Sequence, residues 1–272
     1  NFDSKRRIMK KDTWKSKYGE WALVTGASAG IGEEFCTQLA EKGMNIISIA
    51  RRKNRLDKLG EKLKSDYGIN TLELSIDLFN SEAINEIEKH VSDLEVGLLI
   101  NNAGFGHVGN FHKKNVSRYE EMIRLNCIVP VVLTHKFLPK MVERKKGGVI
   151  FLSSTSAYQA TPYFTVYSAT KVFNLYLGEG LWEEYRKKGI DIMALSPGYT
   201  NTEFQKSAGL TENIKGLLWE KPNNVVNTAL KNLGRKQSVI HGSVNRFFAI
   251  SNRFSPRKWS TIIAGKVCRL NS

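Results

Sequence analysis

Short apolar runs rich in Val, Ile and Leu alternate with longer charged stretches along most of the chain. The charged stretches have helical periodicity, as in EEFCTQLAEKG (33–43) and SEAINEIEKHVSDL (81–94), and several end at glycine, a common helix stop. Buried strands that alternate with amphipathic helices predict an α/β fold with a doubly wound parallel sheet, which binds ligands at the carboxyl ends of its strands. The predicted strands lie in WALVTGAS (21–28), MNIISIA (44–50), NTLELSI (70–76), VGLLINNAG (96–104), GVIFLSS (148–154), IDIMALSPG (190–198) and, as a candidate seventh, SVIHGS (238–243).

Charge is unevenly distributed along the 272 residues. Residues 1–17 carry seven Lys/Arg against two acids, residues 215–272 carry eleven against one, and the remainder is neutral. The basic ends give a formal net charge of +15 and favour anionic partners such as phosphates, acidic carriers or a lipid surface, or they are solvated tails that keep the protein soluble. We predict a basic N-terminal arm at 1–19, one domain at 20–242 and a basic amphipathic C-terminal extension at 243–272.

The C-terminal extension interleaves arginine and lysine with Phe247, Phe248, Phe254 and Trp259. Such a segment lies on an anionic membrane, or it packs against the domain or a second subunit. No nucleic-acid recognition motif accompanies the charge, so we expect no nucleic-acid partner. The three cysteines share no metal or disulfide spacing, and no apolar run reaches the roughly 18 residues of a membrane span. We therefore expect no metal site and a cytoplasmic location, with peripheral membrane contact through 243–272 as the open alternative.

A glycine cluster, VTGASAGIG (24–32), lies where the first predicted strand turns into the first predicted helix. Gly26, Gly30 and Gly32 permit a tight turn and the close approach of a pyrophosphate to the backbone. The helix that follows offers free N–H groups and the positive end of its dipole to the phosphates. This context predicts a dinucleotide site, with a ligand-free tight turn as the alternative.

The second predicted strand ends at Ala50, Arg51 and Arg52, at the place where an acid would hold the ribose hydroxyls of NAD. An acid there would repel a 2′-phosphate, whereas a guanidinium pairs with it. We therefore predict NADP(H) as the cofactor, with Arg51 as the first contact and Arg52 as the second. Solvated arginines at a strand end are the alternative.

The stretch YFTVYSATKVFNLYLGE (163–179) raises the question of which tyrosine works with Lys171. The preceding Thr-Pro turn predicts a helix that begins near Tyr163, and residues four apart share one helix face, so only Tyr167 lies beside the lysine. A nearby ammonium lowers a phenol pKa from its usual value of about 10, so that the phenol can act as acid in reduction and as base in oxidation. Ser154, at the end of the fifth strand, is placed to bond the carbonyl oxygen.

Taken together, these motifs resemble the short-chain dehydrogenase/reductase family over about residues 20–205. The resemblance implies a Rossmann fold and an NADP(H)-dependent oxidoreductase that interconverts a carbonyl and a secondary alcohol. The matching features, in the order of the family, are TGASAGIG, Asp77, NNAG at 101–104, Asn126, Ser154, YSATK at 167–171 and PGYTNT at 197–202.

The resemblance implies a role for each matching residue. Tyr167 is the acid/base, Lys171 lowers its pKa and bonds the nicotinamide ribose, Ser154 orients the carbonyl, and Asn126 holds a water in the proton relay. The cofactor contacts that it implies, with the two arginines added, are Gly26, Ser28, Gly30, Ile31, Gly32, Arg51, Arg52, Asp77, Leu78, Asn102, Ala103, Gly104, Tyr167, Lys171, Pro197, Gly198, Thr200 and Thr202.

Among these contacts, Asp77 is implied to bond the adenine, Asn102 to support the central strand, and Thr202 to contact the carboxamide or the phosphates. One departure from the family concerns Ala29, because many NADP-using relatives carry a basic residue before the second glycine of the turn. The NADP(H) prediction therefore depends on the two arginines at the end of the second strand.

The segment after Pro-Gly, residues 199–220, is apolar in places and contains two glycines, so it is expected to form a lid over the substrate. Phe105, Tyr158 and Tyr163 lie in loops expected to line the same cleft, which favours a fatty acyl or steroid-like carbonyl compound, although each aromatic side chain could equally pack in the core. His107 lies in one of these loops and has no partner that the sequence assigns.

The overall pattern is similar to a broad bacterial-type group of short-chain reductases. The opening YGEWALVTGASAGIG (18–32) is also similar to the long-chain 3-ketoacyl-CoA reductase and 17β-hydroxysteroid dehydrogenase branch. Relatives often pair through the helices that carry Asn126 and Tyr167, which implies a homodimer or homotetramer. The competing functions are a non-catalytic NADP-binding sensor or scaffold and a membrane-surface adaptor, and the Tyr167–Lys171 pair favours the enzyme.

Overall fold

The computed structural model describes residues 14–209 and 219–269 and confirms the doubly wound α/β fold. Seven parallel strands form one sheet in the order β3-β2-β1-β4-β5-β6-β7. Each strand coincides, to within a few residues, with one of the predicted apolar runs. The strands are β1 (Trp21–Thr25), β2 (Asn45–Ala50), β3 (Thr71–Ser75), β4 (Val96–Asn101), β5 (Gly147–Leu152), β6 (Ile190–Ser196) and β7 (Ser238–Ile240).

Helices cover both faces of the sheet. On one face α2, α3 and α9 pack against the strands, and on the other α4, α6 and α7 do so. The described helices are α1 (residues 14–18), α2 (Gly30–Glu41), α3 (Lys53–Tyr67), α4 (Ala83–His90), α5 (Val116–Ile123), α6 (Val129–Glu143), α7 (Thr165–Tyr185), α8 (Phe204–Ala208), α9 (Pro222–Asn232), α10 (Ser243–Phe254) and α11 (Arg257–Arg269). A π-helical segment, Arg124–Ile128, joins α5 to α6.

The central strands are mostly apolar because helices bury both of their faces. All residues of β2, β4 and β5 are buried, and so are the last four residues of β1. The chain leaves β1 towards β2 on one side and returns to β4 on the other, so the strand order reverses between β1 and β4. A crevice for a ligand is therefore expected at the carboxyl ends of these two strands.

The two basic ends differ in how they join the domain. Residues 1–13 lie outside the described part of the chain. The helix α1 belongs to the arm predicted from the charge pattern, yet it places Tyr18 in the core at 2% exposure. The Tyr18 hydroxyl donates a hydrogen bond to Asp191 at 2.9 Å. The C-terminal extension forms α10 and α11, which bury Ala249 and Ala264 against the domain. Packing against the domain is one of the alternatives that the sequence left open for this segment.

The segment that the sequence predicts as a lid is described in part. The helix α8 and a bridge between Thr200 and Glu220 lie within it, whereas residues 210–218, with Leu210, Ile214, Gly216, Leu217 and Leu218, lie outside the described residues. None of the described helices has the length and apolar character needed to cross a bilayer. Within the same residues, no cluster of side chains could hold a metal ion.

A β-bulge in β4 lies where α1 packs against the sheet. The register of β1 against β4 shifts so that Trp21 pairs with Val96 and Ala22 pairs with Leu98, which leaves Gly97 unpaired. A Cβ at Gly97 would lie 1.7 Å from the carbonyl oxygen of Tyr18, a contact that backbone atoms cannot relieve without moving. Only glycine allows α1 to pack this close to the central strands.

We expect Gly97→Ala to lower the free energy of unfolding by roughly 2 kcal/mol or more, because the added methyl overlaps a main-chain carbonyl in the core. Gly180→Ala is the matched control, since a Cβ at this position in α7 meets nothing within 4 Å. It should instead raise stability by up to about 1 kcal/mol through helix propensity. Urea unfolding of both variants measures the difference, and equal stability would contradict the role of the bulge.

Candidate active site

The glycine-rich turn between β1 and α2 requires glycine for steric reasons. Gly26 and Gly30 have φ angles of +68° and +61°, in the left-handed region that other residues rarely adopt. A Cβ at Gly32 would lie 2.3 Å from the carbonyl oxygen of Gly26 and 2.5 Å from Nδ2 of Asn102. The first turn of α2 follows the N-cap residue Ala29 and includes Ile31, and no side-chain cap accepts from its N–H groups. This cradle fits a pyrophosphate.

Thr25 and Asn102 join β1 to β4 beneath the glycine turn. Oγ1 of Thr25 accepts hydrogen bonds from the backbone N–H groups of Asn102 at 3.0 Å and Ala103 at 2.9 Å. The side chain of Asn102 donates in return to the carbonyl of Thr25 at 2.8 Å. Asn102 thus joins the ends of β1 and β4. Thr25 was not among the predicted site residues, although it is the threonine of the TGASAGIG motif.

The two arginines at the end of β2 make different contacts, and the order in which they would bind a 2′-phosphate stays a prediction. Arg52 donates from Nε and Nη2 to Oγ of Ser28 at 3.1 and 2.9 Å. Arg51 instead places its guanidinium 5.6 Å from the ring centroid of Phe79. Arg52 is therefore the arginine that contacts the turn, and Arg51 lies at the adjacent strand end with its charge available.

Arg55 and Glu203 join Arg51 and Arg52 in a basic cluster at the end of β2. Neither Arg55 nor Glu203 was predicted from the sequence. The Glu203 carboxylate accepts from Arg52 at 2.6 Å and from Arg55 at 2.7 Å, and these bonds hold the pKa of Glu203 below its usual value. Glu203 stands directly before α8, so the cluster links the end of β2 to the segment that follows β6. Helical spacing could have identified Arg55 as a neighbour of Arg52, but nothing local to Glu203 indicates this contact.

Asp77 and Leu78 follow β3 at the same edge of the sheet. The Asp77 carboxylate accepts from the backbone N–H of Phe79 at 3.1 Å and remains exposed, and Leu78 is buried. The hydrogen bond from Phe79 thus fixes the Asp77 carboxylate after the end of β3. Its contact with the adenine stays a prediction.

Tyr167 and Lys171 lie one turn apart on α7, as their spacing predicts, and both are buried. Nζ of Lys171 lies 5.4 Å from the ring centroid of Tyr167 and donates to the carbonyl of Leu152 at 2.8 Å. The hydroxyl of Ser153 donates to the carbonyl of Lys171 at 2.7 Å. These contacts fix α7 to the end of β5, where Ser154 also lies.

The electrostatics of the pair differ from the predicted ones. Burial raises the pKa of Tyr167 above its usual value, and a hydrogen bond with Ser154 opposes that rise. Burial lowers the pKa of Lys171 to about 8. The net pKa of Tyr167 is therefore raised and not lowered, because desolvation of the phenol dominates. The phenol is held in its protonated form.

Two phenylalanine rings flank the phenol. Phe164 stacks on Tyr167 with ring centroids 4.2 Å apart, and Phe204 of α8 approaches it at 5.4 Å. A Cβ at Gly106 would meet both phenylalanine rings, so the loop after β4 closes the third side. The aromatic enclosure excludes water around Tyr167 and suits an apolar substrate.

Asn126 lies in the π-helical segment and holds the loop after β4. Its Nδ2 donates to the carbonyl of Phe105 at 2.9 Å and to Oγ1 of Thr170 at 3.0 Å, while its Oδ1 accepts from the N–H of Phe105 at 3.1 Å. A Cβ at Gly104 would lie 2.9 Å from Oδ1 of Asn126 and 3.6 Å from Nζ of Lys171. Asn126 therefore acts here as a support for the loop, and its water-relay role stays a prediction.

The loop after β6 contributes Thr202 to the cradle. A Cβ at Gly30 would lie 2.8 Å from Cγ2 of Thr202, so this threonine faces the glycine turn across the crevice. Thr200 is buried and donates to the carbonyl of Gly198 at 3.1 Å, so its hydroxyl is directed into the loop. The carbonyl of Pro197 accepts from the N–H of Thr155 at 2.9 Å, which holds this loop beside Ser154.

The aromatic residues predicted for the substrate cleft do not all meet. Tyr163 and His107 line a common cavity, and burial lowers the pKa of His107. Phe105 packs edge-on against Phe79, with ring centroids 5.9 Å apart. The hydroxyl of Tyr158 lies 3.5 Å from Oγ of Ser196.

The cradle, the basic cluster and the buried tyrosine lie in one crevice at the carboxyl ends of the strands, and these residues fit a nicotinamide dinucleotide. The glycine turn leaves room for its pyrophosphate beside the first turn of α2. The comparisons with known proteins agree with this reading.

Residues 20–213 match the family model described as short chain dehydrogenase. The human (Homo sapiens) very-long-chain 3-oxoacyl-CoA reductase is 32% identical over 220 residues, which cover 79% of this chain and 69% of that protein. This relative agrees with the 3-ketoacyl-CoA reductase branch that the opening motif predicts.

Solved structures show the same architecture. A 7β-hydroxysteroid dehydrogenase superposes with a TM-score of 0.85 at 25% identity, covering 92% of this chain and 98% of that one. A short-chain dehydrogenase from Sphingobium yanoikuyae in complex with NADPH superposes with a TM-score of 0.77 at 28% identity, covering 86% and 93%. The motifs, the crevice and the match over most of the chain show that this protein belongs to the short chain dehydrogenase family and is an oxidoreductase acting on carbonyl and alcohol groups.

Proposed function

We propose that the protein is an NADP(H)-dependent oxidoreductase that interconverts a carbonyl and a secondary alcohol on a hydrophobic, fatty acyl or steroid-like substrate. The observation that carries the proposal is the buried Tyr167, which lies one helical turn from Lys171 and close to Ser154, whose hydroxyl opposes the rise of the phenol pKa.

The bound cofactor supplies the hydride, and the residues of the chain manage the proton and the oxygen. In reduction, Ser154 and Tyr167 donate hydrogen bonds to the carbonyl oxygen and place it in a site that excludes water. Tyr167 then gives its proton to the oxygen as negative charge develops there. Lys171, fixed on the carbonyl of Leu152 at 2.8 Å, stabilises the phenolate that remains.

The substrate class follows from the apolar surroundings of Tyr167. Phe164 and Phe204 flank the phenol, and Tyr199 contacts Trp219 with ring centroids 5.6 Å apart in the segment after β6. Such walls favour an apolar chain or a ring system over a small polar ketone. The names of the relatives, which refer to very-long-chain 3-oxoacyl-CoA and to hydroxysteroids, support this choice.

The preference for NADP(H) follows from the basic cluster at the end of β2. Arg51, Arg52 and Arg55 place three guanidinium groups near the glycine turn, and Glu203 is the acid that pairs with two of them. The surplus of positive charge suits a ribose that carries a phosphate. The NADPH complex of the Sphingobium relative is in line with this assignment.

Association of the chain with itself follows from an exposed apolar face. The helices α5 and α7 pack side by side, and the π-helical segment with α6 lies next to α7. Their outer surfaces expose Ile123, Ile128, Val131, Phe173 and Tyr176. A second copy of the chain would cover this face, so we include a homodimer or homotetramer in the proposal.

Peripheral contact with an anionic membrane is also part of the proposal. The outer faces of α10 and α11 expose aromatic and aliphatic side chains beside arginine and lysine. This combination suits the headgroup region of a bilayer.

We expect Tyr167→Phe to lower turnover by about a hundredfold to ten-thousandfold, because it removes the proton donor and leaves the ring in place. The NADPH affinity, measured by fluorescence titration, should stay unchanged. Tyr176→Phe on the exposed side of the same helix is the control and should keep full turnover. A Tyr167→Phe variant with normal turnover would exclude the mechanism and favour a sensor or scaffold that uses the fold without catalysis.

We expect Arg51→Ala and Arg52→Ala each to weaken NADPH binding by about 10–100-fold, since each removes a charged partner of the 2′-phosphate, and to leave NADH binding unchanged. Lys53→Ala is the control for a nonspecific loss of positive charge, because it removes one charge from a lysine that is paired with Asp57 at 2.8 Å. Calorimetric titration with both cofactors decides the matter. Equal binding of NADH and NADPH by the unaltered protein would mean that Arg51 and Arg52 face solvent and make no contact with the 2′-phosphate.

We expect light scattering to report a dimer or tetramer and Phe173→Glu to convert it to a monomer, because the variant places a charge in the covered apolar face. Phe254→Glu, at an exposed aromatic residue of α10, should leave the mass unchanged. A monomer mass for the unaltered protein would refute this association.

A further inference from the structure

A cavity of about 460 Å³ lies between the loop after β4, the start of α7 and the inner side of α11. Phe111, Val166 and Ile262 give it apolar walls, and Asn110, Thr261 and Lys266 add polar groups. Its size is that of a site for a small organic molecule. The cavity is separate from the glycine cradle, and no step of the proposed mechanism uses it.

The cavity adjoins the catalytic tyrosine through the chain itself. Thr165 and Val166, which directly precede Tyr167, form part of its wall. Tyr163 has a left-handed φ of +63°, and its carbonyl accepts from the N–H of Gly109 at 2.8 Å, so the loop after β4 and the start of α7 are held together at the cavity. An unusual backbone conformation kept at this point indicates a shape that the surroundings enforce.

The helix α11 forms this wall because its inner side fits the loop before α7. A Cβ at Gly265 would lie 3.2 Å from Cγ of Pro162, and Ala264 and Ser260 are buried. On the neighbouring α10, Asn252 donates a hydrogen bond to Gln159 in the same loop. The C-terminal helices are thus a built part of the cavity.

The outer side of the same helices is apolar and exposed. Phe254 is 85% exposed, Phe247 69%, Ile263 60% and Trp259 59%, and they recur at helical spacing along α10 and α11. Residues 243–269 contain six Lys/Arg and no Asp or Glu. Bulky apolar side chains ringed by positive charge complement an anionic lipid surface, in which the rings enter the headgroup boundary and the cations meet the phosphates.

We propose that the cavity is a binding site for the apolar chain of the substrate, and that α10 and α11 dock it on an anionic lipid bilayer, so that a lipid-borne substrate passes from the bilayer into the active site. The inference rests on the proposed oxidoreductase function and adds the route and the form in which the substrate arrives. The exposed Trp259 and Ile263 are close neighbours along α11 of Thr261 and Ile262, which line the cavity, so docking through α11 brings the cavity close to the bilayer surface.

Flotation with phosphatidylcholine vesicles, with and without phosphatidylserine, tests the docking. The full chain should float with the anionic vesicles only. Phe247→Ser/Phe254→Ser/Trp259→Ser should lose binding, and the matched leucine triple variant should keep it. Arg257→Gln/Lys258→Gln should weaken binding, whereas Lys58→Gln/Lys62→Gln, which removes the same charge from exposed positions of α3, should not. Failure of the unaltered protein to float, or flotation of the serine triple variant, would overturn the docking.

Covering of this face by a second copy of the chain is the alternative occupant. Light scattering of the serine triple variant separates the two, because loss of a lipid contact leaves the mass in solution unchanged. A fall in mass together with no flotation of the unaltered protein would assign the face to self-association instead.

Thr261→Trp tests the cavity, since it adds a large side chain to the inner side of α11. The ratio of kcat/KM for ethyl 3-oxohexadecanoate in vesicles to that for ethyl acetoacetate in solution should fall about tenfold. Asn227→Trp, at an exposed position of α9, is the control and should preserve the ratio. An unchanged ratio for Thr261→Trp would overturn the assignment of the cavity.

Binding of cis-parinaric acid, a fluorescent fatty acid, keeps the inference separate from the proposed function. The unaltered protein should bind it in solution, Thr261→Trp should bind about tenfold more weakly, and Asn227→Trp should bind as well as the unaltered chain. If neither ester is reduced, the proposed function fails, and this titration with the flotation still decides the inference. Equal binding by all three proteins would overturn it.

Discussion

The close approach of three backbone segments at the glycine turn is the constraint on which the rest of the structure depends. A Cβ at Gly32 would lie 2.3 Å from the carbonyl of Gly26, so β1, α2 and β4 meet at a distance that no side chain permits. Thr25 and Asn102 satisfy the backbone groups of this junction. Because the junction leaves the start of α2 open at the edge of the sheet, the contacts that join the core also create the site for an anion.

Burial gives the catalytic pair its properties. The enclosed position of Tyr167 between two phenylalanine rings raises the pKa of the phenol, and the same desolvation lowers the pKa of Lys171 to about 8. The lysine is kept in place by the carbonyl of Leu152 at 2.8 Å and does not depend on the phenol for a partner. A protonated phenol and a cation fixed on a backbone carbonyl therefore lie one helical turn apart.

The C-terminal helices α10 and α11 lie at the surface of the molecule and pack on the loop before α7. Their inner sides fit the loop that leads into α7, through Gly265 against Pro162 and through Asn252 against Gln159, and their outer sides expose aromatic rings among basic residues. Residues of α11 thus line a cavity beside the start of α7, and neighbouring residues of the same helix expose apolar side chains at the surface.

The seven strands, the glycine turn and the pairing of Tyr167 with Lys171 could be predicted from the sequence, because each is a local pattern. A strand buried on both faces is mostly apolar, and residues four apart share a helix face. The sequence by itself did not determine that Arg52 rather than Arg51 contacts Ser28, that Glu203 joins Arg52 and Arg55, or that Tyr18 of the basic end enters the core. Nor did it determine the raised pKa of Tyr167. Only the tertiary structure decided these features, because ion pairs and desolvation depend on side chains far apart in the chain, and no periodicity along the sequence records which of them meet.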